Sequence, residues 1–258
     1  REESFGKGED IDGGGKAQEV FYVQVDGTGI NDRENKEWME CKVGASFSRR
    51  AVVSKNRVKL VDKRSYAAIE GVEAFGEKFF LECVKNGVLE AKTVFFIGDG
   101  ARWIRGIQRD YFPGSVGVLD LWHLERELKL ALGEEREKEV EACKALALAG
   151  RGSEIIQRLM QVSSQMKSLE EMKKIVQVMG YVRGNLDWIA NIPKVGEYGS
   201  GPVEKTVDVT VCRRFKKRGM SWYRWGANPL LKLRLLKLNG EWEAYWQSRR
   251  DATARYAA

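Results

Sequence analysis

Four acidic residues carry most of the chemical interest of this sequence. Asp26, Asp99 and Asp120 each close an apolar, strand-like run, "VFYVQVDG", "TVFFIGDG" and "VGVLD", and the first two are followed by glycine. Glu204 stands in the first turn of a later helix-like segment, "GPVEKTVD", with Gly201 or Ser200 as the cap and Pro202 in the opening turn. Carboxylates gathered at strand ends repel one another unless a cation neutralises them. Hard oxygen donors with few imidazoles suit Mg²⁺ or Mn²⁺. Two such ions about 3.5–4 Å apart activate a water or hydroxyl and stabilise the leaving oxygen in phosphoryl transfer. Singly, each acid has a plainer reading: Asp-Gly is a common turn pair, and a glutamate in a first turn complements the helix dipole.

The remaining reactive residues narrow the choice. His123 is the only histidine, so a serine or cysteine hydrolase would hang on one residue. Cys41, Cys83, Cys143 and Cys212 are far apart, with no zinc or disulfide spacing, which suggests a reducing compartment. The net charge of +7, from 44 Lys and Arg against 37 Asp and Glu, hints at a polyanionic partner. No apolar run approaches a membrane span and no export signal opens the chain, so a cytoplasmic location is expected.

Several elements must position the acids. Residues 1–18 are polar and glycine-rich and read as a flexible lead-in. "VFYVQVDGTG" is a strand; "WMECKVGASF" (38–47) alternates polar and apolar residues and reads as a strand with one wet face. "RVKLVDK" (57–63) alternates likewise and is expected to pair antiparallel with it. Ile69, Val72, Phe75, Phe79 and Val84 predict a helix over 66–86. "TVFFIG" is a fully buried strand, followed by a short helix over 101–109, the strand ending in Asp120, and a helix over 121–132. From about 133 to 195 the pattern is helical throughout. The order predicts an α/β fold, a mixed sheet with helices packed on it, interrupted by an all-helical insertion.

Four stretches in a fixed order, "VDGTG", "FFIGDGARWI", "VLDLWHLERELKLAL" and "GSGPVEKTVDVTVCRRFKKRGMSWYRWGANPLLKLR", resemble the bacterial insertion-sequence DDE transposases, most closely the Lre-type group. The resemblance spans about residues 20–240. It implies a ribonuclease H-like fold whose catalytic core is divided into 19–132 and 196–258 by the insertion at 133–195. It implies that Asp26, Asp99 and Glu204 are the catalytic acids and bind two Mg²⁺ or Mn²⁺ ions. It further implies metal-dependent DNA cleavage and strand transfer, transposon ends and target DNA as partners, and a possible homo-oligomer. Asp120-Leu-Trp-His123 resembles an Asp-x-x-His signature of related groups, which makes Asp120 and His123 site-adjacent.

The Glu204 helix can also be read from its own residues. Val203, Val207, Val211 and Phe215 form one apolar stripe, and Glu204, Asp208 and Cys212 the next, so both acids could face a strand-end cluster. Asp208 is a secondary ligand or a solvated neighbour. Downstream, Arg213, Arg214, Lys216, Lys217, Arg218, Trp222 and Arg224 could grip phosphates and stack on bases, or form a basic helix end followed by core tryptophans. Lys55, Arg57, Lys59, Lys63 and Arg64 form a weaker second patch. Two other functions fit the same residues: a ribonuclease H-like nuclease or resolvase that never joins strands, and an inactive, domesticated nucleic-acid-binding protein.

Overall fold

The computed structural model describes residues 19–54, 57–166, 168–195 and 201–257; the expected lead-in at 1–18, Lys55 and Ser200 lie outside the described residues. Its strands are β1 (Val20–Asn31), β2 (Trp38–Phe47), β3 (Arg49–Ser54), β4 (Arg57–Val61), β5 (Arg64–Ala68), β6 (Thr93–Gly98) and β7 (Val116–Leu119). Five of them form one mixed sheet in the order β5-β2-β1-β6-β7. The β5-β2-β1 part is antiparallel, while β6 and β7 run parallel to β1. This is the α/β class expected from the sequence.

Two expectations about the strands fail. The segment 57–63 does not pair with 38–47; β4 pairs with β3 in a separate two-stranded sheet. The second neighbour of β2 is β5, whose residues overlap the start of the helix expected at 66–86. That helix, α1 (Val72–Lys85), begins only after Gly71. Ile69 mimics a helical residue because two stripes from different layers run together in sequence. It packs with Met39, Cys41 and Val203, whereas Phe75, Phe79 and Cys83 of α1 belong to the other core cluster.

The wet face expected for β2 is likewise confined to its start. Trp38 and Glu40 are exposed, but Lys42 is buried with the rest of the strand. Its ammonium is satisfied by Glu40 at 2.8 Å and the Glu70 carbonyl at 3.1 Å, and it lies over the Trp103 ring. A buried lysine survives only with partners of this kind.

The helices α2 (Arg102–Tyr111) and α3 (Leu121–Leu132) follow β6 and β7. Five more helices follow before residue 196: α4 (Glu137–Leu148), α5 (Gly152–Ser164), α6 (Leu169–Gly184), α7 (Leu186–Ile189) and α8 (Ile192–Val195). Leu128, Val140, Leu159 and Ile175 share one apolar cluster with Phe96 and Ile104, so this helical layer has no core separate from that of the sheet. It docks on the β7 edge through Trp188. A side chain at Gly117 would lie 2.3 Å from the Trp188 ring nitrogen, and Asn191 donates to the Gly117 carbonyl at 2.8 Å.

The second core cluster lies between β1, β2 and a helical run made of α9 (Gly201–Val207), a π-helical turn (Asp208–Cys212) and α10 (Arg213–Phe215). Val203, Val207, Val211 and Phe215 are all buried there, on the stripe read from the sequence. A π turn leaves carbonyls out of the regular ladder. Arg234 of α11 (Arg224–Leu238) donates to the carbonyls of Thr210, at 3.0 Å, and Val209. The last element is α12 (Trp242–Ala257). No described helix is long and apolar enough to cross a membrane.

Candidate metal centre

Strand register alone brings three of the acids into one row. The parallel pairing of β1 with β6 runs from Val20↔Thr93 to Gln24↔Ile97; continued two residues, it sets Asp26 beside Asp99. The pairing of β6 with β7 ends at Gly98↔Leu119; one residue further, Asp99 faces Asp120, whose N–H donates to the Gly98 carbonyl at 2.8 Å. Adjacent strands lie about 4.8 Å apart, so the row is compact before any side chain is placed.

Helix α3 adds the imidazole. Asp120 is its N-cap and accepts from the backbone N–H groups of Trp122 and His123. On the first turn, three residues on, the His123 ring returns to the cap, and its Nδ1 bonds Asp120 Oδ2. Both side chains are buried. The result is a group in which ligand atoms of Asp26, Asp99 and His123 all lie within 4.8 Å of one another. Two carboxylates and an imidazole at that spacing are a donor set a divalent cation can use. A buried carboxylate orienting a histidine is also a common arrangement behind a metal ligand.

Charge is concentrated here. Burial pushes the Asp26 carboxyl above its usual range; the Gly27 N–H (2.7 Å) and His123 oppose this, while Asp99 and Asp120 add to it. His123 is raised: burial favours the neutral ring, but the bond to Asp120 and the fields of Asp120, Asp26 and Asp99 outweigh it. The Asp26 shift is thus set first by burial, and the His123 shift by the carboxylates around the ring.

The loop bearing Asp99 is held from two sides. Its own carboxylate accepts from Ala101 N–H at 2.8 Å, and Tyr181 of α6 donates its hydroxyl to the Asp99 carbonyl at 2.7 Å. Burial first, then Asp99 and Asp120, keep the Tyr181 phenol protonated far above its usual range. Gly100 takes a positive φ of 79°, and a side chain there would strike Asn185, which accepts from Arg105 at 3.2 Å and donates to the Tyr181 carbonyl at 2.9 Å. Tyr181 and Asn185 carry no local signal: their role exists only through contacts reaching 80 residues or more along the chain.

A cleft of about 240 Å³ opens beside Asp26 and Asp99. Gly27 and Gly29 of β1 line it with backbone, and Trp38, Glu40 and Trp103 complete its walls. Neither tryptophan can be assigned to the site from sequence, because both depend on which strand face they occupy.

Glu204 is not part of the group of close ligand atoms. Lys216, past α10, donates to Thr28 Oγ1 at 3.0 Å, so the far end of the helical run lies beside the Asp26 end of β1. Glu204 comes twelve residues earlier, about 18 Å along a helix axis. Asp208 is nearer to that end but is paired with Arg213 at 2.8 Å. Of the basic stretch, Arg214 lies over the Trp222 ring, and Arg224 donates to the Ile69 carbonyl at 3.3 Å. Trp222 itself packs on Phe215 and donates its indole N–H to the Phe215 carbonyl, so it is core more than stacking surface. Lys216, Lys217 and Arg218 are exposed. In the second patch Arg64 is ion-paired with Glu82 at 2.7 Å and with Glu241, and Lys63 is half-buried; the side chains of Arg57 and Lys59 lie outside the described residues.

The sequence model of the uncharacterised protein family UPF0236 matches residues 8–250. The chain belongs to this family. A search of curated proteins found no match. Every site residue described above lies inside the stretch that the family model covers.

Proposed function

We propose that this member of the family is a DDE-type polynucleotidyl transferase, which cuts and joins DNA strands in insertion-sequence mobility with the help of a divalent cation. The observation that carries the reading is the row of strand-end aspartates closed by His123. Asp26 and Asp99 would hold the ion, with His123 as third donor. When bound, the ion would polarise a phosphoryl oxygen and lower the pKa of a water or 3′ hydroxyl. Asp120 anchors Nδ1 and thereby leaves Nε2 as the ring nitrogen available to a ligand. The exposed Lys216, Lys217 and Arg218, beyond Thr28, supply positive charge near the cleft for the strand's phosphates. Such contacts position DNA without reading its sequence.

The resemblance implies a second ion held by Glu204. Calorimetric titration with Mn²⁺ tests both points at once. One ion per chain, lost in Asp99→Asn and kept in Glu204→Gln, fits the three-residue group; two ions, with one lost in Glu204→Gln, bring Glu204 in. Activity is tested by nicking of supercoiled plasmid in Mn²⁺ and by joining of a pre-cut oligonucleotide with a free 3′ hydroxyl. Nicking without joining identifies a hydrolytic nuclease. Equal nicking by wild type and Asp99→Asn, or no Mn²⁺ binding by the wild type, refutes the proposal.

A further inference from the structure

We propose that the exposed face of Trp38, in the cleft beside the glycine segment of β1, is a stacking surface for one unpaired nucleobase of the bound strand. This rests on the nucleic-acid reading above and adds to it the form of the substrate at the site: locally single-stranded.

Residues 27, 29 and 31 of β1 and 38, 40 and 42 of β2 point to one face of the sheet, by the antiparallel register Gly27↔Lys42, Gly29↔Glu40 and Asn31↔Trp38. Two of the three β1 positions have no side chain. At Gly29 a Cβ would lie 2.9 Å from the Trp38 ring, so the indole rests against bare backbone. At Gly27 a Cβ would lie 3.3 Å from both Trp103 and a Glu40 oxygen. Glycine in the middle of a strand weakens it and is expected where another group must come close to the backbone.

Trp38 nevertheless remains 69% exposed, although it lines the cleft that holds Asp26 and Asp99. A large aromatic surface left in water next to a phosphate-handling site is suited to a planar, π-faced ligand. Every base offers such a face, and stacking of this kind is tolerant of sequence. At about 240 Å³ the cleft has room for a single base. Lys216 brings positive charge to the opposite face of the same strand, where it bonds Thr28 between the two glycines. Aromatic surface and cationic charge, the components that single-strand sites use, thus both meet this end of β1.

The test is equilibrium binding of a short fluorescent oligothymidine, and of a duplex of equal length, to the full chain in EDTA. Trp38→Ala should weaken the single strand by about five- to a hundredfold, the equivalent of one lost stacked base, while Trp38→Phe keeps most of the affinity. Gly29→Ala, which pushes the indole off the backbone, should also weaken the single strand. Duplex affinity should not change in any of the three. The proposal is overturned if wild type does not bind the oligothymidine, if Trp38→Ala binds it as wild type does, or if single strand and duplex weaken alike. Because EDTA is present, a failed Mn²⁺ titration would sink the metal centre without touching this result, and the reverse also holds.

Discussion

Gly100→Ala and Gly106→Ala should act in opposite directions, although the two glycines are six residues apart. At Gly100 the backbone is left-handed, φ 79°, which costs an alanine about 1–2 kcal/mol. The new methyl would sit 2.2 Å from Asn185 Oδ1 and displace that side chain. Its bonds with Arg105 and the Tyr181 carbonyl are then strained or lost, at about 0.5–1.5 kcal/mol each. The total is about 2–5 kcal/mol, which for a chain of this size lowers Tm by about 4–20 °C. Gly106 lies inside α2, and a Cβ there would meet no atom of the described residues within 4 Å. Alanine at this position should therefore stabilise by up to about 1 kcal/mol through helix propensity alone. Denaturant titration and thermal melts measure both, and Mn²⁺ titration adds the local readout: affinity should fall in Gly100→Ala and hold in Gly106→Ala. A Gly100→Ala protein as stable as wild type would refute the idea that the Asp99 loop is braced by Asn185.

Asp120→Asn keeps a good N-cap for α3 but removes the anion facing His123, so the fold should survive while Mn²⁺ affinity falls about 10–100-fold, read by calorimetry. The metal-free protein should be more stable at mildly acidic than at mildly alkaline pH. His123 and Asp26 are both raised on folding, so the native state holds protons that the unfolded chain has released; the stabilisation from His123 is full below its unfolded pKa and is lost as pH rises through its folded one. Melts across pH check this, and the slope should diminish in His123→Gln. Arg234→Met strips donors from the carbonyls of Val209 and Thr210 and should cost about 1–3 kcal/mol in denaturant titrations. Thr210→Val should be neutral or stabilising by the same measurement, because the buried Thr210 hydroxyl has no hydrogen-bond partner among the described residues.

The acids at the ends of β1, β6 and β7 are legible in the sequence because a buried strand that stops at Asp-Gly, or at an aspartate capping a helix, is a local pattern. Helix α3 is readable for the same reason, its residues and Asp120 cap forming one continuous signal. What cannot be read is whatever depends on which layers meet. β5 is five residues long and flows into α1 with no break in the apolar spacing, so the spacing points to the wrong neighbour for β2. The Asp-x-x-His signature sets His123 beside the site, but its entry into the ligand group, and the position of Glu204 outside it, depend on how α3 and α9 lie on the sheet. The π turn is similarly invisible, since residues four apart still mark the buried stripe on either side of it.

The contact of Tyr181 with the Asp99 carbonyl has a mechanical consequence. The loop that carries the central aspartate is tied to α6, and α6 shares its apolar packing with the sheet. Load applied to α6 therefore reaches the Asp99 peptide through the Tyr181 phenol and the Gly100 backbone through Asn185. The helical layer is thus part of the frame that sets the carboxylate's position, and cutting it out would leave the loop without its outer wall.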